Sequence, residues 1–120
     1  MRRRLVVKVT AGQDAPERCA QAFTVSAVAA ASGVDVSLWL TGEATWLAVP
    51  DRAEAFVLAH SAPMHELRDA VLAAGTLTVC TQCAARRSLT QDDLLPGVRL
   101  AGAAQFVAEA LEDDVQALVY

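Results

Sequence analysis

Arg4-Leu5-Val6-Val7-Lys8-Val9-Thr10, then Ala11-Gly12-Gln13-Asp14, then Pro16-Glu17: this opening stretch changes period once, and the change decides the fold. The first run is nearly continuous β-branched and apolar, the pattern of a strand covered on both faces. Ala11 to Asp14 breaks it. Asp14 stands three residues before Glu17 with Pro16 in the first turn, which reads as a capping box and a helix start. That helix is predicted to run to about Ser32, with Gly33 as its left-handed stop. Val34 to Leu40 reads as a second buried strand, ended by Thr41-Gly42-Glu43. The three pieces make one βαβ unit.

The alternation continues outward from that unit. A short helix is expected near Glu43 to Ala48 and a helix or loop around Arg52 to Ala59, where Pro50-Asp51 interrupts any single period. Ser61 and Pro63 open a helix whose apolar positions Met64, Leu67, Val71 and Leu72 share a face and which closes at Gly75. Thr76 to Val79 is a third strand, followed by a short helix over Thr81 to Arg87. Thr90 to Leu95 is a turn stopped by Pro96-Gly97, and Val98 to Leu100 a brief fourth strand. Ala103 to Leu111 is the last helix, with Phe106, Val107, Ala110 and Leu111 on its apolar face, and Val115 to Val119 the last strand. Strands alternating with helices, each strand a buried run, imply right-handed crossovers onto a mostly parallel sheet of about five strands in a three-layer α/β/α sandwich.

Composition limits what such a domain does. The chain has 120 residues, close to the usual size of one domain, so residues 1–120 are read as a single domain. With 54% hydrophobic and 20% charged residues it carries enough apolar surface for a folded core. Fourteen acidic against ten basic residues leave a net charge of -4, and aromatics are 5%, which argues against nucleic acid as a partner. Met1-Arg2-Arg3-Arg4 looks briefly like the basic end of a signal peptide, but Lys8 breaks the apolar run behind it, and the segment reads better as the approach to the first strand. The longest apolar stretch, Ala20 to Ala31, is interrupted by Gln21, Thr24 and Ser26 and is shorter than the ~20 residues a membrane span needs. A cytoplasmic protein with no membrane partner is expected. Three cysteines without an export signal argue against a disulfide scaffold.

In open α/β folds, ligands and chemistry gather at the carboxyl ends of the strands. The loops there are Ala11 to Asp14, Thr41 to Glu43, Cys80 to Cys83 and Ala101-Gly102. Only Cys80-Thr81-Gln82-Cys83 carries reactive side chains. A thiol at a helix N-terminus faces unpaired backbone N–H groups and the positive end of the helix dipole, both of which favour thiolate. In a helix, Arg86 and Arg87 stand at i+3 and i+4 from Cys83, close enough to stabilise an anionic sulfur. Cys80 and Cys83 are therefore the candidate catalytic residues, and Arg86 and Arg87 the candidate anion-stabilising ones.

The remaining polar motifs read as structural. Cys19, inside an Ala-rich helix, reads as a small buried hydrophobe. The Cys-x-x-Cys spacing also fits a redox pair, although the aromatic and Pro neighbours of thioredoxin-type motifs are missing. Structural zinc needs four ligands, and nothing in the spacing brings Cys19, His60 or His65 to the pair, so no metal is expected. Thr10 to Asp14 has the outline of a phosphate-cradling turn without the glycine fingerprint or P-loop lysine; Gly12 for a tight turn and Asp14 as a cap explain it, and no cofactor is expected. Asp92-Asp93 and Asp113-Asp114 read as solvated capping sites. Of the tryptophans, Trp39 in a central strand and Trp46 beyond its end, one is expected in the core and the other against a neighbouring subunit.

The succession Leu5-Val6-Val7-Lys8-Val9-Thr10-Ala11-Gly12, Val36-Ser37-Leu38-Trp39-Leu40-Thr41-Gly42-Glu43, Val79-Cys80-x-x-Cys83-Ala84-x-Arg86 and Pro96-Gly97-Val98-x-Leu100-Ala101-Gly102 resembles the DsrE-type (DsrE/DsrF-like, TusD-related) family of small sulfur-relay proteins. The resemblance covers nearly the whole chain, and its most specific parts are the cysteine loop and the Pro96 to Gly102 stretch. It implies an α/β domain that assembles as a homo-oligomer, a trimer or hexamer. It implies a sulfur relay in which a cysteine after the third strand, here Cys80, carries sulfur as a persulfide between donor and acceptor proteins. A persulfide carrier of that kind is compatible with sulfurtransferase activity. Two positions depart from the pattern: Cys83 has no counterpart in single-cysteine members, and Ser88 stands where Gly is expected after the arginine. The pair therefore also fits an oligomeric binding or regulatory module with a Cys80–Cys83 thiol–disulfide switch and no sulfur transfer.

Overall fold

The computed structural model describes residues 3–120; Met1 and Arg2, read above as the approach to the first strand, lie outside the described residues. Five strands, β1 (Arg4–Val9), β2 (Asp35–Leu40), β3 (Thr76–Cys80), β4 (Arg99–Ala101) and β5 (Val115–Val119), form one sheet in the order β4-β3-β2-β1-β5. Every pairing is parallel. Four α-helices connect them, α1 (Pro16–Ala31), α2 (Met64–Ala74), α3 (Thr81–Arg86) and α4 (Ala103–Ala110), with 3-10 turns at Gly42–Ala48 and Gln91–Asp93.

Strand register sorts the side chains into two faces, because neighbours paired in a parallel sheet point the same way. Val7 and Val9 of β1, Val36, Leu38 and Leu40 of β2, and Leu77 and Val79 of β3 form one face, packed under α1 and α2 in the main core with Phe23, Met64 and Val71. The opposite face is polar at its centre. It carries Arg4, Lys8, Ser37, Trp39, Thr78 and Arg99, and α4 lies across it, with Phe106 packing edge-on against Trp39 at 5.5 Å between ring centroids.

Three expectations are corrected. Asp14 does not cap α1: Ala15 is the cap residue, and Asp14 Oδ1 instead accepts the Gly12 N–H at 2.8 Å, closing the loop upstream of the helix. The helix thus starts on Pro16, whose missing N–H needs no partner. Second, α4 is rotated relative to its apolar stripe. Phe106 and Glu109 face the sheet, while Val107 and Leu111 point to solvent. Glu109 is drawn in because Ser37, Trp39, Arg99 and Gln105 all donate to it, and a buried carboxylate held by that many donors is favourable where a lone one is not. Third, β5 is not a covered run; it is an edge strand, exposed from Gln116 to Val119.

Candidate functional site

The carboxyl ends of β1, β2 and β3 meet at the cysteine loop. Cys80 is the last residue of β3 and the residue before the first turn of α3, with φ −63° and ψ 126°. It is half-buried, whereas Cys83, one turn on, is only 8% exposed. Cys83 Sγ accepts the Gly42 N–H at 3.3 Å. Gly42 can present that N–H because it sits at φ +54°, with a hypothetical Cβ only 2.6 Å from the Thr10 carbonyl oxygen. Gly12 packs as tightly, its would-be Cβ meeting the Glu43 carbonyl oxygen. The two glycines let the first and second strand-end loops close on each other and on the thiol.

The surroundings of Cys80 oppose each other. Burial pushes its thiol up, but the backbone N–H of Cys83, the Cys83 side chain, the backbone N–H of Gln82 and the Lys8 ammonium together bring it below the ordinary thiol value. The sulfur makes no capping hydrogen bond of full geometry as it stands; these groups lie where a thiolate draws on them. Lys8 reaches the site across the sheet. Alternation puts Lys8, Trp39 and Thr78 in one row on the α4 side, with Cys80 two residues beyond Thr78 on the same face. Phe106 supports the ammonium at 5.2 Å from its ring centre.

The arginines are placed differently from one another. Arg87 Nη1 donates to the Cys83 carbonyl oxygen at 3.0 Å, and its Nε and Nη2 hold Glu43 Oε2 at 2.9 and 2.8 Å. It therefore ties α3 to the second loop through backbone and carboxylate rather than through sulfur. Arg86 is exposed on α3. The cation acting on Cys80 is Lys8; its only signal in the sequence is a lysine within a β-branched run, and its place beside Trp39 comes from the strand register. Ser88 takes the left-handed conformation at φ 56° that the turn after the arginines demands, although it is not glycine.

Cys19 stands apart from this chemistry. It is fully buried in the main core, and burial, with Asp14 adding to it, pushes its thiol up to about 12. Neither His60 nor His65 joins the cysteines: among the described residues no three His, Cys, Asp or Glu side chains gather as a metal site would require. Of the tryptophans, Trp39 is in the core at 2% exposure and Trp46 is half-buried beside Glu43. No helix among the described residues is long and apolar enough to cross a membrane.

A half-buried thiol at a strand end, stabilised as an anion and next to a second thiol, can act as a nucleophile toward sulfur or be joined to its neighbour. The model of the DsrE/DsrF-like family matches residues 3–116. Among solved structures, the fold is similar to the ychN protein from E. coli, with a TM-score of 0.70 and 14% identity over 100% of both chains. It is also similar to MTH1491, a protein of unknown function from Methanobacterium thermoautotrophicum, with a TM-score of 0.71 and 11% identity over 98% of this chain and 99% of that one. At such identities these likenesses show a shared fold. No curated protein matches the chain significantly.

Proposed function

Because this chain belongs to the DsrE/DsrF-like family over nearly its whole length, we propose that it accepts and passes sulfane sulfur as a persulfide on Cys80. The observation that supports the reading is the depressed Cys80 thiol, half-open at the mouth of the sheet beside Lys8. As thiolate, Cys80 attacks the outer sulfur of a donor protein's persulfide. The donor's S–S bond breaks, its own thiolate leaves, and a Cys80–S–S⁻ anion forms in the field of the same N–H groups and ammonium. An acceptor thiolate then takes the outer sulfur in a second exchange of the same kind, returning Cys80.

Weighing the protein after incubation with a sulfane donor tests this. A mass gain of one sulfur atom is expected for the native chain and none for Cys80→Ser. No adduct, or an adduct that survives the substitution, overturns it.

The Cys83 side chain beside Cys80 favours a second reading, in which the two thiols lose two protons and two electrons to an external disulfide and become a switch. Thiol titration at controlled potential separates the two: reversible Cys80–Cys83 oxidation with no sulfur uptake supports the switch. The proposal also includes cytoplasmic action, donor and acceptor proteins as partners, and assembly as a homotrimer or hexamer. The apolar side chains of Val107, Leu111, Leu118 and Val119, exposed on α4 and the β5 edge, support assembly. Sedimentation at equilibrium measures it, and a monomer at every concentration overturns that part.

A further inference from the structure

Beside Glu43 lies a cavity of about 230 Å³, lined by Gln13, Asp14, Glu43, Trp46, Arg52 and Phe56 among others. It sits between the strand-end loops after β1 and β2 and the irregular segment that follows the 3-10 turn, and the sulfur chemistry proposed above makes no use of it. Its charged residues, Asp14, Glu43 and Arg52, stand on the exposed rim. Arg52 is held over the Trp46 ring, 4.2 Å from its centre, and among the described residues no carboxylate comes within salt-bridge distance of its guanidinium. The ring contact holds the cation in place without pairing it.

Two carboxylates face the same space half-used. Asp14 spends Oδ1 on the Gly12 N–H. Glu43 spends Oε2 on both Arg87 and the Trp46 indole N–H. Among the described residues the second oxygen of each has no partner. The wall between them is fixed, since Gln13 is clamped to Val57 by two hydrogen bonds, Nε2 to the carbonyl at 3.1 Å and Oε1 from the N–H at 3.0 Å. A cation and two carboxylates thus look into one cavity without meeting each other, and Leu47, Ala55 and Phe56 supply its apolar side.

We propose that this cavity binds a free α-amino acid with an apolar or thioether side chain. The ligand's carboxylate meets Arg52 as a charge-assisted pair, its ammonium takes the unpartnered oxygens of Asp14 and Glu43, and its side chain lies against Leu47 and Phe56. The volume, below the ~300–1,000 Å³ of drug-sized ligand pockets, suits a ligand of that size and excludes a nucleotide. A ligand that carried only one sign of charge would leave either Arg52 or the carboxylate pair unanswered.

The chain's two tryptophans make the test direct. In ¹⁵N–¹H spectra of the native protein titrated with L-methionine, the indole N–H signal of Trp46, assigned by its loss in Trp46→Phe, is expected to move, and that of buried Trp39 to stay. L-methionine methyl ester and N-acetyl-L-methionine, each lacking one charge, are expected to bind at least about tenfold more weakly, as is L-methionine to Arg52→Gln. Arg52 is exposed, and an unchanged Trp39 signal shows that the variant is folded. An immobile Trp46 signal at millimolar L-methionine, or equal shifts with acetate, with inorganic phosphate or with either blocked derivative, overturns the proposal.

Discussion

Replacing Glu109 by Gln removes one negative charge from the polar face of the sheet while nearly keeping its shape. The carboxylate is 1% exposed and accepts from Ser37 at 2.7 Å, Arg99 at 2.6 Å, Trp39 at 3.3 Å and Gln105 at 3.3 Å, with Arg4 at 3.8 Å. Burial pushes its pKa up, but the bonds from Ser37, Arg99, Trp39 and Gln105 outweigh it and bring it from the ordinary 4.5 down to about 2. That difference is equivalent to roughly 3 kcal/mol of folding stability. Because the folded carboxyl is the stronger acid, the contribution is complete above about pH 4.5 and is lost as pH falls through the folded value near 2. Loss of the charge also leaves the Arg99 guanidinium facing an amide, in line with the ~3–5 kcal/mol seen when one member of a buried pair is removed. Glu109→Gln is therefore expected to lower stability by about 3 kcal/mol at pH 7, or the melting point by roughly 10 °C. Urea unfolding followed by Trp39 fluorescence measures it at pH 7 and again near pH 3, where the gap between native and variant protein should have narrowed. A loss below about 1 kcal/mol at pH 7, or a gap that does not depend on pH, refutes the account of Glu109 as a paired, ionised anchor of α4.

Three further outcomes are expected. The pH profile of alkylation should place Cys80 below an ordinary thiol and leave Cys19 unreactive in the folded protein, and Lys8→Met should raise the Cys80 value and slow alkylation at neutral pH. Gly42→Ala forces an L side chain to φ +54° and onto the Thr10 carbonyl oxygen, and should cost about 2 kcal/mol in urea unfolding while slowing alkylation of Cys83, whose sulfur loses the N–H that favours its thiolate. Ser88→Gly relieves a left-handed residue at φ 56° and should raise stability by about 0.5–1 kcal/mol, the gain being limited by the extra freedom of glycine in the unfolded chain.

The alternation of strands and helices was readable because its cues are local. Gly33 at φ +85° does stop α1, and Asp93, read as a solvated capping residue, accepts the Thr90 N–H at 2.8 Å. The cysteine loop was readable for the same reason, since a thiol between an apolar run and a helix start lies where β3 hands over to α3. Asp14 shows the limit. Its spacing to Glu17 fits a cap, but the Gly12 N–H offers a nearer partner once the loop closes.

Linear order, with its periods and breakers, determined the five strands, their parallel arrangement and the address of the thiols, because hydrophobic spacing and backbone freedom act over a few residues. The electrostatics of the site were decided only in three dimensions. Lys8 reaches Cys80 from two strands away in the sheet, and Arg87 turns to Glu43, both through contacts between residues far apart along the chain. The same holds for α4: its apolar stripe pointed one way, and the donors gathered by β2 and β4 turned Glu109 inward instead. Pairing energy between distant groups has no period along a sequence, so it becomes visible only when the sheet has brought them together.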